Sequence, residues 1–199
     1  GFVRLISQKK ENDTNMVDMD FITGGSLTEI LAHIRDDVSI DGFDKTQEII
    51  IAYGISYLIS KLHRYGIIHR DIKPSNILLD HDLRPYIADL GFARKYSLDS
   101  DMTHVGSPNY CAPEVFNEAK KISIKSDVYM FGCTLYEMVE IKPPYHNLNS
   151  NQIIEEIEKN KPLKFERAPG HLLIEVIQMC MKKNPDERPT MDEVTQKLI

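Results

Sequence analysis

Between Gly66 and Pro113 the chain offers no run long enough for a helix, because short apolar stretches are cut again and again by Asp, Gly and Pro. Only Ile77-Leu78-Leu79 and Tyr86-Ile87-Ala88 are strand-sized there. So long an irregular stretch inside a compact domain is usually functional, and it needs a rigid body to hold it. That body is legible on either side. Gly24-Gly25 ends an extended stretch, and Ser26 follows as an N-cap with Glu29 three residues on, ahead of the helical pattern Leu27, Ile30, Leu31, Ile34. Asp44 caps a second, longer helix to about His63. Its Ile50, Tyr53, Ile55, Leu58, Ile59 and Leu62 wrap most of the way around, which predicts a helix at the centre of a core. Beyond Pro113, helices are expected at roughly 126–140, 149–159, 171–182 and 190–198, with Pro143-Pro144, Pro162, Pro169 and Pro185 falling between them.

At the front, Phe2 to Ile6 and Met16 to Phe21 alternate apolar and polar positions, and the polar stretch Gln8 to Asn15 reads as the surface turn joining two strands. The layout is α+β: a mostly helical body with two strands ahead of it.

Charge and cysteine usage narrow the classes further. Of 199 residues, 24 are basic and 30 acidic, for a net charge of −6, and no basic run of the kind that tracks a phosphate backbone is present. No nucleic acid partner is expected. Cys111, Cys133 and Cys180 are odd in number, widely spaced and without a CxxC pair, which argues against a disulfide framework or zinc site and points to a reducing, cytoplasmic setting. The most apolar stretch, Ile49 to Ile59, is too short to span a bilayer and is flanked by Gln47, Glu48 and Lys61, so no membrane span is expected. The chain opens on Gly1 without a signal peptide or an initiator Met, and reads as a piece of a longer protein.

The most informative segment is His69-Arg70-Asp71-Ile72-Lys73-Pro74-Ser75-Asn76. It places a carboxylate, an ammonium and a carboxamide within six positions of a constrained loop. Asp71 can orient or deprotonate an incoming hydroxyl, Lys73 can neutralise charge on a transferring phosphate, and Asn76 can ligate a hard cation through its carbonyl oxygen. Any two of these alone would read as a solvated turn. Further on, Asp89-Leu90-Gly91 puts a second potential cation ligand at a strand end, with glycine permitting a sharp turn.

The run HRDIKPSN, then Asp89-Leu90-Gly91, then Ala112-Pro113-Glu114, in that order and spacing, resembles the protein kinase signature set. Gly106-Ser107-x-x-Tyr110, Ser126-Asp127-Val128-Tyr129-x-Phe131-Gly132 and Asn184-Pro185-x-x-Arg188-Pro189 extend the resemblance over essentially the whole chain. It implies a protein kinase-like fold, with residues 1–22 the last two strands and hinge of the small lobe and 23–199 the large lobe. It implies ATP and Mg²⁺ as cofactors and proteins as substrates. Asp71 would be the catalytic base and Lys73 the γ-phosphate contact, while Asn76 and Asp89 would hold Mg²⁺. Met19 would stand at the gate of the adenine pocket, the Asp20 carbonyl and Ile22 amide would contact adenine, Leu78 would pack beneath the ring, and Ser26 is a candidate for the ribose. Lys73 and Ser107 resemble serine/threonine kinases, with Ser107 hydrogen-bonding Asp71 and Lys73. Gly24-Gly25-Ser26-Leu27 resembles the tyrosine-kinase-like group of these enzymes.

The resemblance also assigns structural roles: Asp127 to backbone near His69, Glu114 to a buried pair with Arg188, His69 to packing and hydrogen bonding. The remaining histidines are expected in solvated or capping positions. Thr103 matches the usual activation-loop phosphosite, where a phosphate would pair with Arg70; the alternative is an unmodified exposed threonine. Leu90 stands where the family usually has Phe and is expected to fill the same apolar slot. The sequence contains no glycine-rich loop, no VAIK-type lysine and no helix with that lysine's glutamate. These parts, expected upstream, clamp the phosphates, so residues 1–199 alone are expected to bind ATP weakly. Two functions follow: a serine/threonine kinase completed by an upstream segment, or a pseudokinase or scaffold that binds partners without efficient catalysis.

Overall fold

The computed structural model describes residues 1–11, 14–95, 107–116 and 122–199. Thr103, His104 and Gly106 lie outside the described residues. Strands β1 (Leu5–Glu11) and β2 (Thr14–Met19) pair antiparallel, from Leu5 opposite Met19 to Glu11 opposite Thr14, with a bulge between Leu5 and Ser7. The stretch expected as a surface turn is therefore largely strand. Its polarity misled the reading, since a two-stranded ribbon is held by backbone pairing and needs no apolar side chain.

Helix α1 (Leu27–Arg35) starts at the expected capping box: the Ser26 hydroxyl accepts from the Glu29 amide at 3.3 Å, while Glu29 Oε2 accepts from the Ser26 amide at 2.6 Å. Helix α2 (Lys45–Arg64) is capped by Asp44, whose Oδ1 accepts from the Gln47 amide at 2.8 Å. Then come β3 (Ile67–Ile68), β4 (Ile77–Leu79), β5 (Pro85–Ile87), β6 (Arg94–Lys95), α3 (Ile124–Glu140), α4 (Ser150–Lys159), α5 (Ile174–Cys180) and α6 (Met191–Lys197). Strand β3 pairs with β6, two residues each, a contact too short for any periodicity to announce. Helix α5 is shorter than expected at both ends, because His171 turns back to accept the Leu173 amide on Nδ1 at 3.1 Å and Met181 already caps it.

The core lies where α2 packs against α6 and α3, and α3 against α5. Ile51, Ala52, Ile55 and Ile59 of α2 and Phe131 and Leu135 of α3 are fully sealed. Truncating Phe131 to Ala would cost roughly 3–5 kcal/mol. Helix α2 is not wrapped on all sides, however: Ile50 is 50% exposed and Tyr53 37%. Its outer face carries Tyr53 stacked on Tyr57, ring centroids 6.4 Å apart, with Lys61 over the Tyr57 ring at 4.8 Å.

The β4–β5 hairpin is extended on both flanks. Gly24 and Gly25 exchange backbone hydrogen bonds with Leu79 at 2.9 and 2.8 Å, Ser26 bridges Leu78, and residues 1–3 run alongside Ile87. A second apolar cluster joins Cys111, Ala112 and Val115 to Ile122, Tyr129 and Cys133, and so anchors the segment after the irregular stretch to α3. No helix among the described residues is long and apolar enough to cross a membrane.

Candidate active site

The site is built from one buried carboxylate outward. Asp127, in the first turn of α3 and fully buried, accepts from the His69 amide on Oδ2 and the Arg70 amide on Oδ1, both at 2.8 Å, and lies 2.9 Å from His63 Nε2. These bonds hold Arg70 at φ 73°, a left-handed backbone that costs a non-glycine residue energy and persists only when the surroundings impose it. His69, fully buried, donates from Nε2 to the Ala88 carbonyl at 3.1 Å and accepts the Asp71 amide on Nδ1 at 3.3 Å. The two bonds fix its tautomer and leave it no free nitrogen for acid–base work.

Past this clamp, the turn Pro74–Asn76 brings Asn76 back over Asp71. Asn76 Nδ2 donates to the Asp71 carbonyl at 2.7 Å and to its Oδ2 at 2.8 Å. Lys73 Nζ sits 2.8 Å from the same Oδ2. One oxygen of Asp71 is thus saturated by a cation and an amide. The other, Oδ1, makes no hydrogen bond or ion pair among the described residues. The Asn76 amide is oriented by two acceptors, so its Oδ1 is the atom turned to other use.

The Ala88 amide donates to the Asn76 carbonyl at 2.9 Å, which sets Asp89 beside the loop. Asp89 is itself left-handed, φ 55°, and exposed, with Oδ1 accepting the Gly91 amide at 3.2 Å. Two strained residues, Arg70 and Asp89, therefore flank the Asp71–Lys73–Asn76 network, and such strain clusters at functional sites. No group of three or more His, Cys, Asp or Glu side chains among the described residues could cage a metal alone. The oxygens of Asn76 and Asp89 instead suit a hard cation whose remaining ligands come from a substrate and water.

Leu90 does not fill an apolar slot. It is 42% exposed, because the turn begun at Asp89 carries it outward. Ser107 is half-buried, and its carbonyl accepts the Tyr110 amide at 3.0 Å, but among the described residues its hydroxyl makes no hydrogen bond to Asp71 or Lys73. The segment still runs close by: burial pushes the Cys111 thiol up to about 11, and Asp71 adds to the shift. Tyr110 fastens this segment to α3 by donating to Glu137, and burial with that carboxylate holds its phenol well above the usual range.

The Asp20 amide donates to Arg4 at 3.0 Å, while the Asp20 carbonyl and the Ile22 amide make no backbone hydrogen bond among the described residues. The Ser26 hydroxyl donates to Glu29 Oε2 at 2.9 Å, so its proton is committed to the helix cap. Leu78 is half-buried beside it. Sequence reading missed His63 and Tyr110 as partners of buried carboxylates. Both contacts lie far apart in the chain, and the only signal for His63 was its place at the end of a helix.

The protein kinase domain family model matches residues 2–198, and the chain belongs to that family. It is 32% identical over 216 aligned residues to Receptor-like protein kinase 7 of Arabidopsis thaliana, covering 98% of this chain and 22% of that protein. It is 28% identical over 193 residues to serine/threonine-protein kinase Nek9 of Xenopus laevis, covering 95% and 20%. Against mitogen-activated protein kinase kinase kinase YODA of Arabidopsis thaliana the identity is 30% over 194 residues, covering 96% and 21%. The chain spans about a fifth of the length of these relatives.

Proposed function

We propose that the chain is the catalytic part of a protein serine/threonine kinase, with residues 1–22 forming the end of the small lobe and hinge and 23–199 the large lobe. The observation that carries the reading is the asymmetric Asp71 carboxylate. Oδ2 is held by Lys73 and Asn76, and Oδ1 is left open to accept the proton of an incoming hydroxyl. ATP with Mg²⁺ supplies the phosphoryl group and the charge that neutralises it. Asn76 and Asp89 would hold the cation through their oxygens. Lys73, half-buried beside Asp71, would swing its ammonium toward the transferring phosphate, and the unpaired backbone groups of Asp20 and Ile22 would receive the adenine edge. Leu78 would lie under the ring, with the Ser26 position at the ribose, and Ser107 would shape the acceptor side. The names of the relatives support serine and threonine as acceptors. Three free, buried cysteines support a cytoplasmic setting.

A scaffold that only binds partners has no physical need for the Asp71–Lys73–Asn76 network, which the fold maintains at the cost of left-handed Arg70 and Asp89. The test is phosphate incorporation from labelled ATP by the full-length protein, with phosphoamino acid analysis of the product. Asp71→Ala should lower the rate roughly a hundredfold or more. Wild-type protein with no incorporation into serine or threonine, or a variant as fast as wild type, would sink the reading.

A further inference from the structure

A second concavity, open on one side, shares no residue with the Asp71 loop and is lined by α3, α4, α5, the chain between Asn160 and Phe165, Pro113, Tyr145 and the turn at Asn184 and Glu187. Its volume is about 600 Å³. That falls inside the range of roughly 300–1,000 Å³ typical of small-molecule sites. The apolar lining comes from Ile157, Leu163, Phe165, Ile177 and Met181. Ile157 and Ile177 are buried and form the deep wall.

The walls are fixed by their own bonds. Asn160 ends α4 in a left-handed conformation, φ 51°, and turns the chain across the mouth. The strap that follows is pinned from α3, where the Tyr136 hydroxyl donates to the Lys164 carbonyl at 3.0 Å and the Tyr136 ring packs on Phe165, centroids 5.4 Å apart. The cavity is therefore preformed.

The rim is cationic, and part of that charge is uncommitted. Lys183 Nζ donates to the Glu158 carbonyl at 2.6 Å, and Glu187 Oε1 accepts from Asn184 Nδ2 at 3.3 Å. Lys161 and Lys182 also line the opening and make no hydrogen bond or close ion pair among the described residues, although Lys161 lies near enough to Glu156 to act on its carboxyl. Two ammonium groups over an apolar pocket present point charges without the planar fork that selects a phosphate or a paired carboxylate geometry.

We propose that this cavity binds a small amphipathic carboxylate, its apolar body against Ile157, Leu163, Phe165, Ile177 and Met181 and its anionic head at Lys161 and Lys182. The simplest such ligand is a medium-chain fatty acid. The site shares no residue with the Asp71 network, so it stands whether or not the chain transfers phosphate.

The test is isothermal titration calorimetry of the full-length protein with decanoate, and with decan-1-ol as the uncharged counterpart. Decanoate should bind saturably at one site and more tightly than the alcohol. Lys161→Gln and Lys182→Gln, both at exposed positions, should each weaken it roughly two- to fivefold, the yield of an exposed ion pair. Gln178→Trp, which fills the mouth from an exposed position, should remove binding while the far-ultraviolet spectrum stays unchanged. Absence of saturable binding, or binding indifferent to all three substitutions, overturns the site. Binding lost in Gln178→Trp but unchanged by both lysine substitutions, or equal for the alcohol, overturns the anionic head.

Discussion

Arg188 reaches back 74 positions to grip Glu114 with both arms of its guanidinium, Nη1 to Oε1 at 2.7 Å and Nη2 to Oε2 at 2.8 Å. The two side chains are 0% and 1% exposed. Ser126 adds a third bond to Glu114 Oε1 at 2.7 Å, and Arg188 spends its remaining donors on the carbonyls of Lys125, Lys182 and Lys183 while lying over the Tyr129 ring. The pair therefore ties three parts of the chain: the segment that passes the candidate active site, the start of α3, and the turn before α6.

Removing one partner leaves the other buried and uncompensated. Glu114→Ala should lower the unfolding free energy by roughly 3–5 kcal/mol, measured by urea titration. The loss should also depend on pH. Burial pushes the Glu114 carboxyl up, but Arg188 and Ser126 outweigh it and leave it below its ordinary 4.5. Its contribution is then complete above pH 4.5 and fades as pH falls through the lower folded value. The gap between wild type and Glu114→Gln should accordingly narrow on acidification below that point; a gap that widens would contradict the assignment.

Asp127 carries the loop rather than the chemistry. Its two oxygens take the amides of His69 and Arg70, so substitution releases the left-handed Arg70 and the geometry that follows from it. Asp127→Asn would turn one acceptor into a donor facing an N–H. We expect the rate of phosphate transfer to fall at least about a hundredfold, comparable to losing a positioned base, because Asp71 is misplaced. Peptide-substrate kinetics paired with a thermal melt check this. A variant that melts several degrees lower yet transfers phosphate at the wild-type rate would show that the clamp is not needed.

Gly54 offers a case where local propensity and packing oppose each other. It lies inside α2, where Ala would ordinarily gain about 1 kcal/mol. A Cβ built there would stand 2.5 Å from Cγ of Pro85, the first residue of β5, and 3.1 Å from its Cδ. Neither the proline ring nor the helix backbone can yield cheaply. Gly54→Ala should therefore destabilise the protein by roughly 1–3 kcal/mol in chemical denaturation, the usual cost of overpacking. Because β5 leads directly to Asp89, the same substitution should disturb the candidate cation site. Unchanged or raised stability would mean that α2 and β5 separate freely.

How much of this was legible in the sequence depends on the range of the physics involved. Ser26 and Asp44 announced their helices because capping acts within one turn, and both caps form as read. The sequential run from Asp71 to Asn76 was legible because its members sit on one loop. The Asp127 clamp and the Glu114–Arg188 pair were named from family resemblance, since nothing local to Arg188 points to a carboxylate so distant. At single residues whose partners lie far along the chain or whose direction the backbone sets, the expectation failed. His63 was expected in a solvated or capping role and lies against Asp127. The resemblance gave Leu90 the apolar slot of the family's Phe, but the backbone turn at Asp89 decides its direction. Ile50 and Tyr53 were counted into the core because periodicity shows that a helix has an apolar circumference, not which part of it meets another element.

Glu48 and His171 form a further buried polar contact, between α2 and the turn before α5, with Nε2 and Oε2 2.7 Å apart but poorly directed. His171 Nδ1 accepts the Leu173 amide, so the ring carries its proton on Nε2, beside the carboxyl. Burial pushes the Glu48 carboxyl above its ordinary 4.5, and His171, Arg167 and Lys45 only partly offset this. The linkage is opposite in sign to that of Glu114. Stability from a raised carboxyl is present below its unfolded value and is lost as pH rises through the folded one. Glu48→Gln keeps an acceptor for the Nε2 proton and cannot ionise, so its stability relative to wild type should improve as pH is raised from 4 toward 7. Glu48→Leu strands that proton in an apolar setting and should cost about 1–3 kcal/mol. Urea titrations of the three proteins across that range decide the matter, and a Gln variant that loses ground with rising pH would show that the His171 side holds Glu48 ionised.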